Sequence, residues 1–199
     1  DELSFAFNKI YLAFEQTKYR PSYYMVEDIL VAENNRDKIN SISNLPKFFP
    51  EFITRQLTYS HGDYIYGLNI PNNIKLSAQR PSLNFFDFGW GGSVTCTAIQ
   101  VALYMGFKEV CLLGVDNSFT YDKNSVHENH LIGRGESNHF HPDYRQVGEK
   151  WNYPPTEITN NHFIMLEKLS KETGSKIINC TRGGKVEVFE RKSLEKVLN

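Results

Sequence analysis

Residues Gly91 to Asp116 read GGSVTCTAIQVALYMGFKEVCLLGVD, and no other stretch states its fold so plainly. Gly91-Gly92-Ser93 is a glycine turn. Val94 to Met105 is apolar nearly all round, the pattern of a helix buried on most sides. Ser93 is placed to cap its start and Gly106 to stop it. Glu109 to Val115 is then a continuous apolar run, as expected of a strand buried on both faces of a parallel sheet. Turn, helix, strand and a carboxylate, Asp116, at the strand's carboxyl end predict an α/β fold. Its sheet would be doubly wound, mostly parallel and covered by helices on both faces.

The flanks extend this reading. Leu3 to Phe7 and Ser22 to Val26 read as strands, the second just after Pro21. Ile10 to Phe14 suggests a short helix, and Ile29 to Ile39 carries apolar residues at helical spacing. Pro46 to Phe52 reads as a short strand or turn. Residues 54–82 hold His61-Gly62, Gly67, Pro71 and Pro81 and predict an irregular excursion. Residues 117–145 are polar and His-rich, the composition of a lid. Asp143 to Trp151 reads as a short helix, Thr156 to Thr173 as a long one stopped by Gly174. Lys176 to Asn179 is a last short strand and Ser193 to Leu198 a closing helix. No repeat or heptad array is present, and by its length the chain, residues 1–199, reads as one domain.

Composition narrows the function classes. The 199 residues are 40% hydrophobic and 23% charged, enough for a core without metal or disulfide staples. Lys and Arg total 22 against 23 Asp and Glu, a net charge of −1, which speaks against a nucleic-acid partner. The sequence has no apolar run long enough for a transmembrane segment. It opens on Asp1-Glu2-Leu3-Ser4 without a signal peptide, and Cys96, Cys111 and Cys180 suit a reducing cytoplasm. Cytoplasmic localisation is therefore expected, with the Asn179-Cys180-Thr181 sequon idle.

Five features carry candidate chemistry. The Gly92-Ser93 turn presents helix N-terminal N–H groups to an anion, or is a plain cap. Asp116, at a strand's carboxyl end, is placed to hold a ribose hydroxyl, a metal or a reacting proton, or else to cap its loop. Four of six histidines, His127, His130, His139 and His141, lie within fifteen residues. They read as a catalytic or substrate-touching imidazole, as a zinc site with Asp143, or as solvated loop residues. Asn179, Thr181, Arg182, Gly183 and Gly184 follow a strand and offer a guanidinium and a backbone anion nest, or a plain turn. Asn8 and Asp28 end the first two strands and either face the same crevice or cap the helix after each strand.

Several ordered stretches carry a resemblance. They are Phe7-Asn8-Lys9-Ile10-Tyr11-Leu12, Pro21-Ser22-Tyr23-Tyr24-Met25-Val26-Glu27-Asp28, Gly92-Ser93-Val94-Thr95 and Gly106-Phe107-Lys108-Glu109-Val110. Leu113-Gly114-Val115-Asp116, Asn138-His139-Phe140 and Asn179-Cys180-Thr181-Arg182-Gly183-Gly184-Lys185 continue the series. In this order the chain resembles the MptE-like 6-hydroxymethylpterin diphosphokinase family, whose domains also occur in surface-glycan and flagellin-glycosylation proteins. That family is distantly similar to bacterial sialyltransferases that use CMP-sialic acid. The resemblance implies a Rossmann-like nucleotide-binding transferase fold. It implies a nucleotide near Asn8, Asp28, Gly92, Ser93, Thr95, Asn179, Thr181, Arg182, Gly183 and Gly184. It also implies His139 as general base with Asp116 beside it, and His141 and Tyr144 on a substrate-facing lid. The family opens with a strand and a Gly-Asn-Gly-Pro-Ser-Leu type loop, and this chain starts after that point, so a missing first strand and nucleotide loop are expected.

The functional expectation is transfer of a sugar from a nucleotide-sugar donor to a glycan or small-molecule hydroxyl, in surface polysaccharide assembly. The alternative is ATP-dependent 6-hydroxymethylpterin diphosphokinase activity, with Mg2+ bridging the phosphates. A third reading is a non-catalytic nucleotide-binding module. The carboxylates Asp116, Asp122 and Asp143 are too dispersed in sequence to favour the Mg2+ chemistry.

Overall fold

The structure, a computed structural model, describes residues 2–55, 57, 63–71, 78–127 and 130–198. In chain order the strands are β1 (Phe5–Phe7), β2 (Tyr23–Met25), β3 (Lys47–Pro50), β4 (Tyr64–Tyr66), β5 (Leu68–Asn69) and β6 (Phe88–Gly89). They continue as β7 (Glu109–Leu112), β8 (Val126–His127), β9 (His130–Ile132), β10 (Lys150–Asn152), β11 (Lys176–Asn179) and β12 (Glu190–Arg191). The helices are α1 (Ile29–Asn34), α2 (Arg36–Ser41), α3 (Val94–Tyr104), α4 (Thr156–Glu172) and α5 (Leu194–Leu198). The chain is thus α/β. Its sheets are small, and one is antiparallel. No helix among the described residues is long and apolar enough to cross a membrane.

Two compact units divide the chain. The first holds residues 1–66 and 119–154, the second residues 67–118 and 155–199. In the first unit β1, β2, β3 and β4 lie side by side in chain order, all parallel. Period-2 alternation sends Tyr24 and Phe49 to one face, where they pack with Val26, Val31, Ala32 and Ile39. The opposite face carries aromatic rings in a row. Phe5 stacks on Tyr23 at 4.7 Å, Tyr23 meets Phe48 at 5.9 Å, and Phe48 stacks on Tyr64 at 4.9 Å. Rings at such separations attract beyond their burial alone.

The helix expected over Ile29 to Ile39 is two helices, broken at Asn35. The Asn35 amide donates to the Val31 carbonyl at 2.9 Å, and its Oδ1 accepts from the Tyr11 hydroxyl at 2.8 Å. A short polar side chain that bonds its own backbone competes with helix continuation, and here it ends α1.

Within the segment read as a lid, β8 and β9 pair, and with β10 beyond it they form a three-stranded antiparallel sheet. The short helix expected over Asp143 to Trp151 is instead a 3-10 turn, Pro142–Tyr144, followed by β10. Gly148 takes a φ of 85°, and its N–H donates to the Gly133 carbonyl at 2.8 Å, while the Gly133 N–H donates to the Glu149 carbonyl. Those cross-strand bonds leave no partners for a helix there. Of the excursion expected over 54–82, residues 56, 58–62 and 72–77 lie outside the described residues.

In the second unit β12, β11 and β7 form a parallel sheet with β11 central. Every residue of α3 from Val94 to Leu103 is buried. Cys96, Ile99 and Leu103 of α3 share a core with Phe163 and Leu166 of α4 and Ile177 of β11. The one amide inside α3, Gln100, is wholly buried and fully used. Its Oε1 accepts from the Ser82 and Gly89 N–H groups, and its Nε2 donates to the Gly89 and Cys96 carbonyls. Through it α3 ties down the parallel pair β5 and β6.

Candidate functional site

The expected site residues fall on both units. Asn8, Asp28, His139, His141 and Tyr144 belong to the first; Asp116, Gly92, Ser93, Thr95, Asn179, Thr181, Arg182, Gly183 and Gly184 belong to the second.

In the first unit Asn8 follows β1 directly and Asp28 lies three residues past β2, so both stand at the carboxyl edge of adjacent parallel strands. Asn8 holds a φ of 50°, fixed by its N–H donating to the Met25 carbonyl at 3.0 Å and its carbonyl accepting from the buried Tyr24 hydroxyl at 2.7 Å. One Asp28 oxygen accepts from the N–H groups of Leu30 and Val31, capping α1, and from the Asn152 amide at 3.0 Å. Segment 139–152 is thereby held against this edge. The buried Lys9 ammonium strengthens the hold, donating to the Tyr144 carbonyl at 2.7 Å and pairing with Glu149 at 2.6 Å.

His139 lies on Tyr144, ring centroids 3.7 Å apart. Its Nε2 is buried and has no hydrogen-bond partner among the described residues. Burial, with Arg145 and Lys9 nearby, pushes the imidazole down to about 4, so at neutral pH it is uncharged and able to accept a proton. Tyr144 is pushed up by burial and keeps its proton, although its hydrogen bond with the Asn8 side chain pulls the other way. His141 turns to local work. Its Nδ1 accepts from the Asp143 N–H at 3.1 Å and caps the 3-10 turn. His127 and His130 face each other on the β8–β9 hairpin at 6.1 Å. Among the described residues no three His, Cys, Asp or Glu side chains gather as a metal set.

In the second unit the turns after β7 and β11 are bound to each other. Thr181 Oγ1 accepts from the Val115 N–H at 3.0 Å, and Asn179 Oδ1 accepts from the Thr181 N–H at 3.0 Å. The Asn179 amide donates to the Val186 carbonyl, and the Lys185 N–H donates to the Asp116 carbonyl at 2.7 Å. Asn179 and Thr181 thus spend their side chains on the fold. Gly183 and Gly184 hold φ values of 72° and 80°, and Arg182 is 96% exposed, 3.8 Å from Glu195. The Asp116 carboxylate accepts a long hydrogen bond from the Ser118 N–H at 3.5 Å. Ser93 caps α3 by accepting from the Thr95 N–H at 3.3 Å. Gly92 takes a φ of 75° in a space where a Cβ would lie 2.6 Å from Pro155, and the neighbouring Asn117 amide donates to the Thr156 carbonyl. The start of α4 therefore touches both the glycine turn and the turn after β7.

Sequence reading passed over four residues of the first unit: Lys9, Arg145, Glu149 and Trp151. Lys9 and Glu149 are 140 positions apart and share no motif. Arg145 stands two positions beyond the His-Pro-Asp run, and only its surroundings distinguish it. Comparison with family models, with curated proteins and with solved structures finds no match for this chain.

Proposed function

We propose that the chain is a nucleotide-dependent transferase domain, of Rossmann-like architecture, that moves a sugar from a nucleotide-sugar donor to a hydroxyl acceptor. One observation carries the reading: a neutral imidazole, His139, presents a buried and unpartnered Nε2 at the carboxyl edge of β1 and β2. Ligands of parallel α/β sheets gather at that edge. In the proposed step His139 Nε2 takes the acceptor's hydroxyl proton as its oxygen bonds to the anomeric carbon. The bond from that carbon to the phosphate oxygen breaks, and the nucleotide leaves with the electron pair. A bound anion beside the imidazole raises its affinity for the proton, which suits a base that is reluctant to charge in the free protein. The ordered resemblance to the MptE-like family supports the same class of chemistry.

The test combines thermal unfolding with a transfer assay. CMP, CMP-sialic acid, UDP and GDP are each added without Mg2+, and ATP with it. A ligand that binds only the folded chain raises Tm. The reading expects a rise with a sugar nucleotide, product from donor and acceptor, and a loss of turnover of about 100-fold or more in His139→Gln with donor binding retained. A rise with Mg-ATP alone would replace it by pyrophosphoryl transfer. No rise with any nucleotide and no product would overturn it.

A further inference from the structure

Arg145 is a partly buried guanidinium with no partner for its charge. It forms no ion pair and no hydrogen bond among the described residues, and its Nε is fully shielded. Its guanidinium lies over the face of Trp151, 4.1 Å from the ring centroid. Trp151 is itself only 3% exposed, and its indole N–H also lacks an acceptor among the described residues. Leaving the Arg145 Nε and the Trp151 indole N–H unpaired away from water is costly, and native proteins rarely do so without cause.

Each neighbouring carboxylate has at least one oxygen engaged elsewhere. Glu149 pairs with Lys9 and accepts from the Gln146 N–H at 2.9 Å. Asp28 commits its Oδ1 to the first turn of α1 and to Asn152. Glu136 accepts from the Arg134 N–H at 2.8 Å, with its other oxygen buried and unpartnered. Burial accordingly lowers the Arg145 pKa, while Glu149, Tyr144, Asp28 and Glu136 pull it back. His139, on the ring of the adjoining Tyr144, is uncharged and makes no demand on the guanidinium.

We infer that Arg145, laid on Trp151 beside His139, is the binding residue for an oxyanion, a phosphate or a carboxylate on the substrate. A guanidinium fork matches both groups bidentately, and stacking on an indole preorients its plane. The inference concerns binding alone and stands whether or not the chain transfers a sugar.

The test reads Trp151 fluorescence in a Trp90→Phe background, with Tm measured in parallel in anion-free buffer. Probes are inorganic phosphate, CMP, free N-acetylneuraminate and, as the neutral control, cytidine. The expected result is saturable quenching or enhancement with an anion and none with cytidine. Response to phosphate and CMP alone assigns the site to the donor's phosphate, and response to N-acetylneuraminate assigns it to a carboxylate. Arg145→Met should weaken anion binding by about tenfold or more, and Arg145→Lys should fall between, keeping charge but losing the fork. In anion-free buffer Arg145→Met should unfold no lower than the parent. The inference is overturned if the parent ignores every anion, or if Arg145→Met binds equally well. It is also overturned if Arg145→Met and Glu136→Gln lose Tm alike without anion, since Arg145 then serves Glu136. A failed transfer assay alongside intact anion binding would strike the transferase reading and leave this one standing.

Discussion

At the scale of single residues, the half-buried His139 and the buried His162 contribute to the acid response. Burial pushes both His139 and His162 down to about 4 from an ordinary 6.5. Unfolding frees them to bind protons, so stability is unaffected above about pH 6.5 and falls as the pH drops toward 4. Buried His162 contributes up to roughly 3 kcal/mol of that loss, and half-buried His139, partly screened by solvent, less. Denaturant titrations at pH 7 and pH 4.5 should therefore show a shallower acid loss in His139→Gln than in the parent, and an unchanged loss would refute its burial as a neutral ring. Glycines give a second residue-scale contrast. Gly184 has a φ of 80° and a Cβ there would lie 2.6 Å from the Asp116 Cα, whereas Gly106 has a φ of 88° in open space. Gly106→Ala should cost about 1 kcal/mol from backbone strain, and Gly184→Ala about 2–4 kcal/mol because the turns after β7 and β11 must part. Equal losses in urea melts would show that the two turns do not press on each other.

At the scale of elements, caps and internal bonds decide where helices begin and end. Ser93 was legible as the cap of α3 because Ser before an apolar run is a strong local signal, and its hydroxyl does accept from Thr95. Asp28 does the same for α1 and also holds Asn152. Asp28→Ala should therefore cost more than Ser93→Ala, about 2 against about 1 kcal/mol by thermal unfolding. Gln100 had no legible role, since an amide in an apolar helix reads equally well as a surface position. Burial of all its polar atoms against Ser82, Gly89 and Cys96 makes it the tie between α3 and β6. Gln100→Leu leaves the Ser82 N–H and the Gly89 N–H and carbonyl without their side-chain partner and should lower stability by about 3 kcal/mol or more. The break at Asn35 escaped the sequence reading for a related reason, because apolar spacing runs on through it while the Tyr11 hydroxyl that fixes it comes from 24 positions away.

At the scale of the whole molecule, each unit is assembled from two separated stretches of chain. The stretch whose sequence was most readable, α3 and β7, is not self-sufficient. Along β7 the pairing partner is β11, and the apolar face of α3 is covered partly by α4, both from beyond residue 155. A fragment of residues 67–118 should show no cooperative thermal transition by circular dichroism, since helix propensity alone does not hold an exposed apolar helix in water. A cooperative melt would mean that the local pattern suffices.

Hydrophobic period, cap residues and glycine turns are local properties, so the sequence by itself determined the α/β class, the helix from Val94 with its Ser93 cap, a strand beginning at Glu109 and the glycine turns at 92 and 184. The strand expected to run buried on both faces to Val115 instead stops at Leu112 on the edge of its sheet, with Leu113 57% exposed, because no further strand pairs beyond it among the described residues. The His139 Nε2 and the Arg145 guanidinium on Trp151, both without a hydrogen-bond partner among the described residues, and the Lys9–Glu149 pair belong to the tertiary structure. Desolvation and charge pairing depend on which groups the folded chain brings within a few ångströms, and residues 140 positions apart carry no local trace of that meeting.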